Sequence, residues 1–98
     1  MTLVYHPSVQ SDFNDALDYY ETEGARLADR FEAEFKAAIA AVVAAPRQFP
    51  YYLRSRTYRR IRLRSFRYVI VYREHAGGIR VTVLKSEKRH PRFGIARW

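Results

Sequence analysis

The stretch RRIRLRSFRYVIVYRE, residues 59–74, decides the fold of this chain. From Arg60 onward basic and apolar residues alternate, which predicts a strand over Tyr58–Arg64 with one apolar face. The other face of that strand carries Arg60, Arg62 and Arg64. The next run, Arg67–Arg73, is apolar on both faces, as is typical of a central strand.

Two further strands are predicted on either side of this stretch. Ala76-Gly77-Gly78 is a turn signal that leads into IRVTVLK, Ile79–Lys85, and the pair predicts a β-hairpin. Near the start of the chain, Thr2–His6 is short and alternating and predicts a first strand. No helix follows the two glycines directly, so they do not form a phosphate-binding loop of the strand-to-helix kind.

Helical periodicity fills the chain between Pro7 and Pro46. Apolar residues recur at helical spacing on both sides of Gly24. The first stripe is Val9, Phe13, Leu17 and Tyr20, and the second is Ala28, Phe31, Phe35, Ile39 and Val42. We therefore predict an α+β fold of order β-α-α-β-β-β, a single domain over residues 1–98. A helical hairpin packs on one face of a mostly antiparallel sheet.

Charge divides the chain into two parts. Residues 1–46 hold three basic and eight acidic side chains, and residues 47–98 hold fifteen basic and two acidic ones within a net charge of +8. The acidic helices are most simply a solvated surface, whereas the arginine-rich strands present a basic surface to an anionic partner. Because helices cover only one side of the sheet, we expect the arginine face to stay open.

Catalytic and metal-binding patterns are scarce. The chain has no cysteine, which excludes disulfides and thiolate metal sites and suits a reducing cytoplasm. His6, His75 and His90 lack metal-ligand spacing, so we expect neither a metal nor a cofactor. The longest apolar stretch, Ala37–Ala45, is far shorter than the ~20 residues of a membrane span, and no targeting segment is visible. The expected location is the cytoplasm.

The ordered set of elements resembles the RelE/ParE superfamily of toxins from bacterial type II toxin–antitoxin modules. The similarity spans about residues 3–98, and its most specific parts are the central strand Arg67–Tyr72 and the basic tail Lys88–Phe93. The long helical hairpin is closer to the ParE branch. That resemblance implies a toxin that inhibits DNA gyrase without a reaction of its own and is neutralised by a ParD-like antitoxin encoded next to it.

The basic side chains of the second half are the candidates for target binding. They are Arg60, Arg62, Arg64, Arg67, Lys88, Arg89 and Arg92, with Lys85 beside them. The candidates for antitoxin binding are Tyr19, Phe93, Ile95 and Trp98. An alternative for the three apolar tail residues is that they fold back onto the helical hairpin as part of the core.

A RelE-like, ribosome-dependent mRNA endonuclease is the alternative function. Arg62, Arg64, Lys88 and Arg89 would then neutralise the cleaved phosphate, and His90 would act as general acid. The base would be Glu74 or Glu87. Phe93 stands where the RelE pattern has a tyrosine, and its ring cannot exchange a proton, which favours the ParE-like function. A third possibility is a nucleic-acid-binding module whose affinity falls steeply with salt.

Overall fold

The chain has the predicted order of elements in a computed structural model, which describes residues 2–97. The elements are β1 (Leu3–Tyr5), α1 (Ser8–Glu23), α2 (Ala25–Ala44), β2 (Tyr58–Arg62), β3 (Tyr68–His75) and β4 (Gly78–Ser86). The sheet order is β1-β4-β3-β2, with β1 parallel to β4 and the other pairs antiparallel. The predicted α+β fold is confirmed. Neither helix is both long and apolar enough to cross a membrane.

A single residue separates the two helices. Gly24 has φ +151°, a conformation that side chains disfavour, and its N–H donates to the carbonyl of Tyr20 at 3.0 Å. The predicted apolar stripe of α2 is buried along its whole length. The ring of Phe31 lies 5.1 Å from the rings of Tyr20, Phe66 and Tyr68, so an aromatic cluster joins the helices to β3.

The β3–β4 hairpin closes through a two-residue turn. Ala76 and Gly77 both have positive φ, 50° and 77°, as a type I′ turn requires, and His75 pairs with Gly78 across it. The predicted hairpin is therefore confirmed, although the turn itself is Ala76 and Gly77, and Gly78 already belongs to β4. Ala76 occupies a left-handed conformation that glycine or asparagine would adopt at lower cost.

The sheet face turned away from the helices is covered, so the prediction that it stays open is wrong. Val71 and Val83 are buried on this face together with Tyr52, and Phe93 and Ile95 pack against them. We call the loop 47–57 and the tail 88–97 together the outer layer. Because β3 is apolar on both faces, it needs cover on both sides.

The tail places Phe93 and Ile95 on the outer face and not on the helical hairpin, so that alternative is also wrong for these two residues. It makes turns along the outer face, where the Tyr52 hydroxyl donates to the Pro91 carbonyl at 2.6 Å and the Tyr58 hydroxyl donates to the Arg97 carbonyl at 3.1 Å. Trp98, a candidate for antitoxin binding, lies outside the described residues.

Candidate functional site

The predicted basic residues fall into three places and not onto one face. Register with β3 puts Arg60 and Arg62 on the outer face, opposite Val71 and Val69. The strand ends at Arg62, two residues earlier than predicted, because the chain turns there and the Leu63 N–H donates to the Tyr68 carbonyl. Arg64 and Arg67 consequently lie on the β2–β3 connection, and Lys88, Arg89 and Arg92 lie in the tail.

Most of these cations lack a carboxylate partner. Arg62 pairs with Glu87 at 3.4 Å, and the Arg89 guanidinium lies 4.4 Å from the ring centre of Phe93. Lys85 is only 5% exposed, below the ring of Tyr52, and is not part of an open basic surface. Within residues 2–97 the others form no ion pair: Arg60, Arg64, Arg67, Lys88 and Arg92. With Arg89, which contacts a ring and not a carboxylate, six positive charges therefore remain for an anionic partner.

Three adjoining concavities run along the β2–β3 connection. Their volumes are about 610, 670 and 540 Å³, and residues 62–67 contribute to each of them. We call these three concavities together the β2–β3 trough. One wall is the small-residue surface of α2, including Ala33 and Ala37, and β2 beside it is an edge strand. The loop before β2 already bonds to this edge, because the Arg60 N–H donates to the Pro50 carbonyl at 3.1 Å and the Tyr58 carbonyl accepts the N–H of Tyr52 at 2.7 Å.

The trough wall is fixed to α2 by Glu34. Its carboxylate accepts the N–H of Ser65 at 2.7 Å and lies 3.6 Å from Arg30. Burial alone would raise the pKa of Glu34, but the hydrogen bonds from Ser65 and the charge of Arg30 outweigh it and hold the pKa below its usual value. Glu34 is therefore ionised at neutral pH and holds the connection in place.

Aromatic side chains line the far end of the trough. Tyr19 is 58% exposed and its ring lies edge-on to that of Tyr20, 5.1 Å away. Burial, followed by the neighbouring phenols, raises the pKa of Tyr20, and burial also raises the pKa of Tyr68. These phenols stay protonated at neutral pH, so this end offers ring faces and hydroxyls beside Arg67 and Lys88.

The tail is fastened to α1 by an ion pair that the sequence analysis missed. Arg97 donates to both carboxylate oxygens of Asp12, at 2.5 and 3.2 Å, and to the Thr82 carbonyl at 3.1 Å. Asp12 also accepts the Leu84 N–H at 3.1 Å, so it occupies the edge of β4 beyond β1. No local pattern marks a pair of residues this far apart in the chain.

Both candidate bases for nuclease chemistry form ion pairs with arginines. Glu74 pairs with Arg47 at 2.9 Å beside the β3–β4 turn, whereas the tail with His90 follows the opposite end of β4. Glu87 pairs with Arg62 at 3.4 Å. His90 is exposed, and its Nδ1 accepts the N–H of Arg92 at 3.1 Å.

The other histidines do not assemble a site either. His6 accepts the N–H of Ser8 at 3.0 Å through Nδ1, at the start of α1. Desolvation, followed by the charges of Arg97 and Arg80, lowers the pKa of His6. In the part of the chain that the structure describes, no three His, Asp or Glu side chains are grouped as a metal site would require.

A comparison of the sequence with protein families identifies the family of the chain. Residues 3–90 match the model of the family described as the ParE toxin of the type II toxin–antitoxin system parDE. The chain belongs to the ParE toxin family. Comparison with curated proteins gave no significant match.

Membership of the ParE family defines the partner class. The chain is a toxin of a type II system, and a cognate antitoxin is its partner. The match ends at His90, so the last part of the outer layer, which includes Phe93, Ile95 and Arg97, lies beyond it. The sequence of this ParE toxin indicated which basic side chains are candidates for binding. Their positions in space depend on how the β2–β3 connection and the outer layer are packed.

Proposed function

We propose that this ParE toxin inhibits DNA gyrase and carries out no chemical reaction itself. The observation that carries the proposal is the set of cations without carboxylate partners on the strand, connection and tail, in a chain whose two candidate bases, Glu74 and Glu87, are both paired with arginines. Such a surface suits binding better than catalysis, because arginines hold anionic groups through fixed, planar donor sets.

The toxin would act by holding gyrase in one state of its cycle. Arg60, Arg62, Arg64, Arg67, Lys88, Arg89 and Arg92 are the proposed contacts with the target. Bound there, the toxin would stabilise the broken-DNA intermediate or block supercoiling, and either effect stops replication. The requirement is for affinity and not for a general acid or base, which fits the exposed and isolated position of His90.

We also propose that a ParD-like antitoxin lies in the β2–β3 trough. An acidic and apolar segment would pair its charges with Arg62, Arg64 and Arg67 along the trough. Tyr19 at the end of the trough, and Phe93 and Ile95 in the tail, are its further proposed contacts. Neutralisation then follows, because the antitoxin covers arginines that the target needs.

A gyrase supercoiling assay with antitoxin-free toxin tests the proposed target. We expect lost supercoiling, trapped cleaved plasmid, or both, at sub-micromolar to micromolar toxin, reversed by the antitoxin. Folded toxin that leaves supercoiling unchanged would contradict the proposal. The next assay would then be mRNA cleavage on ribosomes, in which His90→Ala is the first variant.

A triple variant tests the basic surface with a matched control. Replacing Arg60, Arg62 and Arg64 with alanine should leave the fold intact, because exposed ion pairs contribute about 0–1 kcal/mol, and should abolish inhibition. The control removes the same charge away from the trough, as Arg26→Ala, Lys36→Ala and Arg47→Ala. Equal loss of inhibition in both variants would show that inhibition depends on net charge and not on the position of the arginines. Full activity of the first variant would refute their role.

A further inference from the structure

The loop between α2 and β2 presents an apolar side chain on a strained backbone. Leu53 has φ +56° and is 47% exposed. Among residues 2–97 the other non-glycine residue with positive φ is Ala76, whose conformation the hairpin turn requires. Leu53 is the second residue of a β-turn closed by the Ser55 N–H and the Tyr52 carbonyl, and glycine or asparagine would adopt this φ at lower cost. The turn accounts for the backbone conformation but not for an exposed leucine at this position, since its side chain is not used in the core.

The loop is held firmly around Leu53. The N–H of Tyr52 donates to the Tyr58 carbonyl at 2.7 Å, and the Tyr52 hydroxyl is bonded to the tail at Pro91. Ser55 donates its N–H to the Tyr52 carbonyl at 3.1 Å, and its hydroxyl oxygen accepts the N–H of Tyr58 at 2.9 Å. These bonds fix the backbone on both sides of Leu53, so its side chain is presented in one place.

The surroundings of Leu53 are cationic and aromatic. Arg54 and Arg56 are exposed and form no ion pair within residues 2–97. Tyr51 is 40% exposed, and the guanidinium of Arg59 lies 4.0 Å from its ring centre. The loop carries no carboxylate. Tyrosine and arginine around one apolar anchor form the composition of the energetic centre of a protein–protein contact.

We propose that residues 51–56, which we call the loop tip, contact the target protein of this toxin. Leu53 enters an apolar pocket, and Arg54 and Arg56 pair with carboxylates at its rim. The partner is an acidic protein surface, since phosphate backbones offer nothing that would bury a leucine. The assignment to gyrase rests on the proposed function.

Substitutions at Leu53 and Ala76, which both have positive φ, distinguish a role in target binding from a role in folding. Asparagine tolerates positive φ better than leucine or alanine, so Leu53→Asn and the control Ala76→Asn should each raise Tm. In the supercoiling assay, Leu53→Asn should increase the toxin concentration for half-inhibition about 10- to 100-fold, because a buried leucine contact is lost. Ala76→Asn should leave that concentration unchanged.

Each other outcome overturns the inference in a distinguishable way. A lower Tm for Leu53→Asn would make Leu53 a structural residue, and unchanged inhibition would remove the loop tip from the contact. Wild-type toxin without effect on supercoiling would refute the proposed function, and with it the assignment of the tip to gyrase. Weaker binding of Leu53→Asn to a short labelled DNA duplex, measured by fluorescence anisotropy, would identify DNA as the ligand and exclude the protein contact.

Discussion

The two faces of the sheet are built on different scales. Among residues 2–97, fourteen buried residues from the helices, the sheet and the β2–β3 connection form one core toward the helices, whereas the buried cluster on the outer face has three. In the outer layer, a few long-range hydrogen bonds hold the tail, and the apolar contact of the layer with the sheet is small. The helix-facing core therefore supplies most of the stability. The outer layer adds little stability and positions the charged and exposed side chains.

The largest expected effect comes from breaking the helix-facing core. Phe31 is fully buried among four aromatic rings, so Phe31→Ala should cost about 3–5 kcal/mol in the free energy of unfolding. Domains of this size have about 5–15 kcal/mol in total, so the variant should be largely destabilised in urea titrations. The matched outer-layer variant, Phe93→Ala, should cost about 1 kcal/mol. Equal losses would show that the two faces contribute alike.

An intermediate effect is expected at the join between the two sides. Asp12→Asn or Arg97→Met leaves a poorly hydrated partner behind, and each should cost about 2–3 kcal/mol by chemical denaturation. The double variant should lose less than the sum, because the two residues interact directly. Additive losses would mean that the pair does not couple the tail to α1. Other contacts would then have to couple the outer layer to the helices.

The smallest effect is a pH dependence at the wall of the trough. Because the folded pKa of Glu34 lies below its ordinary value of 4.5, its ionised form stabilises the fold above that pH, and this contribution is lost as pH falls through the folded pKa. Glu34→Gln should cost about 1 kcal/mol at pH 7, and the difference from wild type should shrink below pH 4.5.

The matched control for this titration is Glu32→Gln on the same helix. Glu32 makes an exposed pair with Lys36 at 3.1 Å, so its loss should change the stability by less than about 0.5 kcal/mol. A constant difference between Glu34→Gln and wild type from pH 7 to acid would contradict the role of the ionised carboxylate. Glu34 would then not fix the β2–β3 connection through its charge.

The helix-facing side could be predicted because its signals are local. Periodicity marked the stripes of α1 and α2, and the glycine pair marked the hairpin, since each depends on residues a few positions apart. The outer layer could not be predicted, because its bonds join residues such as Tyr52 and Pro91 that no repeat connects. One signal was present in the sequence: a strand that is apolar on both faces, Arg67–Arg73, requires cover on both sides.

The positions of the basic residues could likewise be predicted only where the signal is local. The alternation of β2 correctly placed Arg60 and Arg62 on one face, but it did not reveal that the strand ends at Arg62. Where a strand ends depends on the connection that follows, here on the bond from Leu63 to Tyr68. The trough between β2 and α2 is thus a property of the packed elements and not of any segment.

The position of β4 in the sheet has a consequence for synthesis of the toxin. β4 is the last strand to be made, yet it lies between β1 and β3, and Leu3 pairs with Ile79. A chain growing on the ribosome can form its helical hairpin early, but β1 has no neighbour until β4 has left the exit tunnel. Translation that stops before β4 therefore releases a fragment that cannot complete the sheet. The cell is exposed to a folded toxin only after β4 has been translated.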